Sequence, residues 1–316
     1  MTLYAGDAKT AETLSQQALK LFRELEHLTN VGMTLLLLGR LAAFRNDRAA
    51  DICFDEAEMV LKQAGSYHRA GLALLGKGDS AFARCDYHAA REVYLKALAT
   101  FKEAGAIQSN FGAFAQLSVG RTAAYLYEYA EARSWLEKAT ETLKKTSIPA
   151  FGNLHCDIAY GDLALHEEKF GEALSFYQRA LLAAESLNFA EEAAQCQMKL
   201  GMLELSKGRP QVAMLHLVVA ATKQRQTNDV NGLSQTLVRL GECFAATGDK
   251  LAALLFFRAA YPVCRKIEAY RDLADCLVGL GTVCGDRGQV MEGDTLFEKT
   301  GDTKGRERCR VALAGL

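Results

Sequence analysis

Residues 237–260, LVRLGECFAATGDKLAALLFFRAA, carry the pattern that organises the chain. Leu237, Leu240, Gly241 and Phe244 share one face of a first helix, and Ala253, Phe257 and Ala260 recur at i, i+4 and i+7 on a second. Gly248-Asp249 between them predicts a tight turn. The spacing returns along the whole chain. The glycine falls at Gly39, Gly78, Gly120, Gly161, Gly201, Gly241 and Gly281, in steps of 39, 42, 41, 40, 40 and 40. A small residue late in the second helix gives an independent series, Ala18, Ala57, Ala97, Ala139, Ala180, Ala220, Ala260 and Thr300. A third runs through Ala11, Ala50, Ala90, Ala132, Ala173, Ala213 and Ala253 and ends at Gly293.

Small residues at these places let paired helices approach closely. The large residue four positions after the third series fills the groove so made: Phe54, Tyr94, Leu136, Tyr177, Leu217, Phe257 and Phe297. One helix pair cannot bury its apolar stripe alone, so each stacks on the next. Residues 1–28 read as an incomplete first unit holding only a second helix, 29–300 as seven repeats of about 40 residues, and 301–316 as a capping helix, together a single stack. The last repeat is degenerate, with Gly293 and Thr300 replacing alanine. The lone first helix leaves Leu14, Ala18, Leu21 and Leu25 on an open side, which points to excision from a longer protein and to a weak homodimer through that helix. The arginine-bearing segment 303–314 reads as a native C-terminal end.

These residues resemble the tetratricopeptide repeat. The matches are the small residues Gly201, Ala213 and Ala220 and the large Leu217, and their counterparts in neighbouring units. The longer unit is similar to the repeats of kinesin light chains, Pins-type polarity adaptors and the sensor arrays of signalling ATPases. Two features depart from the family pattern. Gln116, Asp157 and Gln197 stand where tryptophan or leucine is usual, and the helix-breaking proline late in the repeat is absent almost throughout. The resemblance implies an all-α, right-handed solenoid of about seven to eight helix pairs with a C-terminal cap. It also implies that the first helices line a concave surface. The predicted partner-binding groove is then Arg40, Asp79, Phe114, Arg121, His155, Asp162, Lys199, Arg239 and Glu242.

Composition narrows the function. Half of the 316 residues are hydrophobic and only three are proline, which favours folded helix over disorder. A net charge of −1 removes the overall basic field that draws nucleic acid or anionic membrane, so neither partner is expected. There is no apolar run long enough to span a membrane, and the first residues lack the form of a signal peptide. Nine cysteines without a CxxC pair read as reduced thiols packed as small hydrophobes, in a cytoplasmic protein.

Candidate chemistry is thin. Residues 71–78, GLALLGKG, approach a phosphate-loop pattern, but they lie inside a first helix, and Gly78 occupies the place of the required hydroxyl. His155, Asp162 and His166 share a helix face, yet no HExxH spacing or third ligand is defined. Only their convergence in a sealed pocket would argue for an enzyme. No catalytic residue, metal or cofactor is predicted. The expected function is a non-enzymatic scaffold or adaptor that holds a peptide or protein on its concave groove. The alternative is the ligand-sensing repeat segment of a larger signalling ATPase.

Overall fold

The structure is a computed structural model that describes residues 5–44, 48–146 and 149–316. Those residues form sixteen α-helices and no strand. The helices are α1 (Ala5–Glu24), α2 (Leu28–Phe44), α3 (Ala49–Gln63), α4 (Tyr67–Ala83), α5 (Tyr87–Glu103), α6 (Asn110–Tyr125), α7 (Tyr129–Leu143) and α8 (Pro149–His166). They continue with α9 (Phe170–Ser186), α10 (Ala190–Ser206), α11 (Pro210–Thr227), α12 (Val230–Ala246), α13 (Lys250–Lys266), α14 (Tyr270–Cys284), α15 (Arg287–Thr300) and α16 (Thr303–Gly315). A lone α1 is thus followed by seven helix pairs and a final helix, as the repeat pattern predicts. By internal packing the chain divides into two compact units, Met1–Gly152 and Asn153–Leu316.

Within each unit every helix packs on the next, and the even-numbered helices also touch one another: α2 on α4 and α4 on α6, then α10 on α12, α12 on α14 and α14 on α16. No comparable packing joins odd to odd among the described residues. The even helices are therefore the inner row of each unit and the odd helices the splayed outer row.

The glycine series meets the large-residue series directly. A Cβ on Gly78 would lie 2.4 Å from the Tyr94 ring, on Gly161 2.5 Å from Tyr177, and on Gly241 2.7 Å from Phe257. The same ring of Phe257 also lies against Gly279 of the following repeat. Each large side chain thus fills the space between its own first helix and the next one, and Phe54, Tyr94, Tyr177 and Phe257 are all buried. The last pair breaks the rule: Gly281 meets Val290, and Phe297 packs instead on Gly305 of α16. The glycines of 71–78 likewise serve packing, with Gly71, Gly76 and Gly78 set against Phe101, Phe54 and Tyr94.

Left-handed residues take over the missing proline's role in ending helices. Gly248 (φ 84°) closes α12, where its N–H donates to Ala245 and that of Asp249 to Phe244, and the Asp249 side chain then caps α13 by accepting from Ala252 N. Elsewhere Cys85, Tyr127, Glu168 and Glu268 take the left-handed conformation without being glycine. Seven cysteines are buried, Cys53 is half-buried and Cys284 exposed, and none is in a disulfide. Burial pushes the thiols of Cys196, Cys243 and Cys276 up to about 12, so they pack as small hydrophobes. No helix among the described residues is long and apolar enough to cross a membrane.

Candidate partner-binding surface

The predicted groove residues all sit on inner, even-numbered helices, but the two units treat them differently. In the first unit they remain accessible. Arg40 on α2 and Asp79 on α4 are exposed, and Phe114 and Arg121 on α6 are half-buried. Met33 and Leu37 lie on the same helix as Arg40, and Leu37 is 45% exposed. Asp79 accepts a hydrogen bond from the Tyr94 hydroxyl at 2.7 Å. Desolvation raises its carboxyl pKa although water reaches it, while the Tyr94 bond and the charges of Arg121 and Arg40 pull the other way. Arg121 stacks over the Phe82 ring at 4.9 Å, and its Nε is buried with no hydrogen-bond partner among the described residues. Phe114 packs edge-on against Phe151.

In the second unit the equivalent residues are spent on one another. Asp162 on α8 is buried, and it accepts from the Tyr177 hydroxyl at 2.7 Å and pairs with Lys199 on α10 at 2.9 Å. Lys199 is itself only 4% exposed. Arg239 on α12 reaches Asp275 on α14 at 2.5 Å, Glu242 at 2.7 Å and Asp272 at 3.5 Å. Burial works against the Arg239 charge, but Asp275, Glu242 and Asp272 outweigh it and hold its pKa well above the ordinary arginine value. Asp275 is likewise desolvated, yet Arg239 and Arg308 hold its carboxyl well below the usual range. Asp272 goes the other way, raised by burial. Arg308 of α16 completes the network, 2.6 Å from Asp275 and 3.7 Å from Glu242. The final helix is therefore locked onto the inner row rather than merely shielding an end.

Asp162 and His166 share a neighbourhood that sequence spacing does not reveal. Lys304 at the start of α16 donates to the His166 carbonyl at 3.3 Å and pairs with Glu168 at 2.9 Å, while Arg271 pairs with Asp302 at 2.8 Å. His166 is enclosed among Asp162, Lys199, Arg271 and Asp302. Burial first, then the Arg271 and Lys199 charges, push its pKa down to about 3, so the ring is neutral. His155 stands about three helical turns before His166 on α8, roughly 16 Å along the axis. Among the described residues no group of three His, Cys, Asp or Glu is placed to hold a metal.

No protein-family profile matches the chain. It is 26% identical over 159 residues to tetratricopeptide repeat protein 29 of Trypanosoma brucei brucei, covering 49% of this chain and 32% of that protein. The chain thus spans about a third of that relative's length. Among solved structures it is similar to the Rap conjugation gene regulator of plasmid pLS20 in complex with the Phr* peptide. There the TM-score is 0.62 and the identity 17%, over 98% of this chain and 94% of that one. Aspartyl phosphate phosphatase F of Bacillus subtilis gives 0.57 at 13% identity, over 100% and 94% of the two chains. A signal transduction ATPase with numerous domains from Pyrococcus horikoshii, bearing a tetratricopeptide repeat sensor, gives 0.57 at 12% identity, over 96% of this chain and 49% of that one. At such identities likeness speaks for fold alone. Together with the glycine and aromatic series, it establishes that this chain is built on the tetratricopeptide-type repeat fold.

Proposed function

We propose that the chain is a non-enzymatic interaction scaffold that binds an extended or helical peptide on the inner row of its first unit. The observation that carries this reading is the contrast between the two inner rows. Met33, Leu37, Arg40 and Asp79 remain accessible, whereas Asp162, Lys199 and Arg239 are already neutralised by partners in the fold. A surface with accessible apolar side chains beside accessible charges suits a peptide whose main chain and side chains both need partners. The pLS20 Rap regulator, of the same fold, was solved with a peptide bound. The test is selection from a random peptide display library, followed by anisotropy titration of the selected peptides. Leu37→Asp and Arg121→Glu should each weaken binding at least about tenfold, equivalent to 1.4 kcal/mol. Unchanged affinity in both variants rejects the inner row of the first unit as the site.

A second reading is favoured by the extent of one structural match. The Pyrococcus ATPase is covered over about half its length by nearly all of this chain. On that reading the repeats are the sensor of a larger ATPase, and the gene should encode a phosphate loop upstream of residue 1. An upstream region with none removes it. Either reading is compatible with a weak homodimer through the N-terminal segment, where Leu14 and Leu21 on α1 and Leu25 just after it are exposed.

A further inference from the structure

The outer row of the second unit carries a charge asymmetry that the inner-row reading leaves unexplained. Helices α11 and α13 contain Lys223, Arg225, Lys250, Arg258, Arg265 and Lys266, and neither holds an aspartate or a glutamate. The chain as a whole has a net charge of −1, so this is a local concentration. None of the six forms an ion pair with a carboxylate among the described residues; Arg265 donates only to the Tyr261 hydroxyl. Several surface cations elsewhere do find acids, as Arg23 does with Glu56, Lys77 with Asp55, Arg91 with Glu128 and Arg179 with Asp157.

The same two helices carry exposed aliphatic side chains. Leu215 is 70% exposed on α11, and Leu251 and Leu255 are 78% and 71% exposed on α13, with Val212 and Val218 also open. Leu215 and Leu255 each stand two residues after the repeat alanine, Ala213 and Ala253, so they occupy equivalent places on neighbouring outer helices. Helices α11 and α13 both pack on α12, so their exposed leucines belong to neighbouring outer helices of one surface. The face is therefore an exposed aliphatic strip on two neighbouring helices, edged by positive charge.

We propose that the α11–α13 face docks an acidic amphipathic helix of a partner protein. Leucines spaced i, i+3, i+4 and i+7 on such a helix would pack on Leu215, Leu251 and Leu255, and flanking carboxylates would meet Arg258, Lys266 and Arg225. A second copy of this chain using the same face would set like charges against each other, which opposes an isologous dimer. A nucleic acid would neutralise the cations but leave the leucines against phosphate. Binding here is independent of the inner row of the first unit, so the two proposals fail separately.

The probes are two fluorescein-labelled helical peptides with leucines at i, i+3, i+4 and i+7, one with glutamate and one with lysine at the remaining positions. Titrated with the full chain, the glutamate peptide should bind, and added salt should weaken it; the lysine peptide should not bind. Leu215→Glu/Leu255→Glu and Arg258→Glu/Lys266→Glu should each reduce affinity at least about tenfold. All four positions are exposed, so the thermal melt should not move; Arg40→Glu in the first unit should leave this binding intact. Absence of binding by the glutamate peptide, or binding that survives both double variants, overturns the proposal. So does binding to phosphatidylserine vesicles or to polyuridylate that the variants abolish while peptide binding persists, which assigns the face to a membrane or to RNA.

Discussion

Lys199→Met should destabilise the second unit far more than the loss of a surface cation. The ammonium of Lys199 lies 2.9 Å from Asp162, with the two side chains 5% and 1% exposed. Removing the lysine alone leaves a buried carboxylate that still accepts the Tyr177 hydroxyl but has lost its cation. Breaking a buried pair from one side costs about 3–5 kcal/mol, because the other charge stays desolvated and uncompensated. A solvated groove lysine would cost no more than about 0.5 kcal/mol. The partner variant Asp162→Asn keeps an acceptor for Tyr177 but strands the ammonium. In Asp162→Asn/Lys199→Met both charges are gone and the Tyr177 bond survives, so much of the stability should return. Urea unfolding of the four proteins gives the coupling energy directly, expected at about 2 kcal/mol or more in favour of the native pair. A Lys199→Met protein within about 0.5 kcal/mol of the parent refutes the burial argument and returns Lys199 to the solvent-facing groove.

His166 should make the second unit acid-sensitive in a narrow window. Its folded pKa is lowered to about 3 from 6.5, so the unfolded chain binds that proton more readily, and stability is lost as pH falls below 6.5. At pH 5 the loss is about 2 kcal/mol, and His166→Gln should flatten the slope by that amount between pH 6.5 and 5; parallel slopes refute the assignment. Asp275 acts in the opposite part of the range, since its depressed pKa gives stability that is present above about 4 and lost only below it. Gly241→Ala places a Cβ 2.7 Å from the Phe257 ring and should cost about 1–3 kcal/mol. Gly171→Ala, with nothing within 4 Å, should be neutral or stabilising; equal melting points for the two variants contradict the packing account. Sedimentation velocity should show a concentration-dependent dimer that Leu14→Glu/Leu21→Glu abolishes, and a parent monomeric at high concentration removes the α1 interface.

The repeat architecture was legible because it is written in volumes. A glycine every 40 residues or so and an aromatic or leucine at a fixed offset leave one way to fill the space between helices, and the rings of Tyr94, Tyr177 and Phe257 occupy it. Register also placed all nine groove residues on inner helices. It did not tell how much water each retained. The available signal was an opposite charge one repeat away less about one helical turn: Asp162 and Lys199 are 37 apart, Arg239 and Asp275 36 apart. That offset moves the partner one turn back along the next inner helix, opposite the first. The surroundings of His166 had no such signal. Lys304 meets it from 138 residues away, and no local pattern encodes that meeting.

Whether a charge in a helical-repeat protein serves binding or folding depends on whether the fold has already answered it. A ligand approaching Arg239 must displace Asp275, Glu242 and Asp272, so its gain is the difference between two similar ion pairs, with the desolvation of its own group set against it. A ligand approaching Arg258 or Lys266 displaces water alone. At Arg121 the Nε has no hydrogen-bond partner among the described residues, although the guanidinium stacks on Phe82 and its charge acts on Asp79. Position on the inner or outer row is therefore a weaker guide to function than the state of pairing. By that criterion the second unit, whose inner charges are the most numerous and the most fully matched, has its unspent positive charge on the outer helices α11 and α13, beside leucines that nothing in the described fold covers.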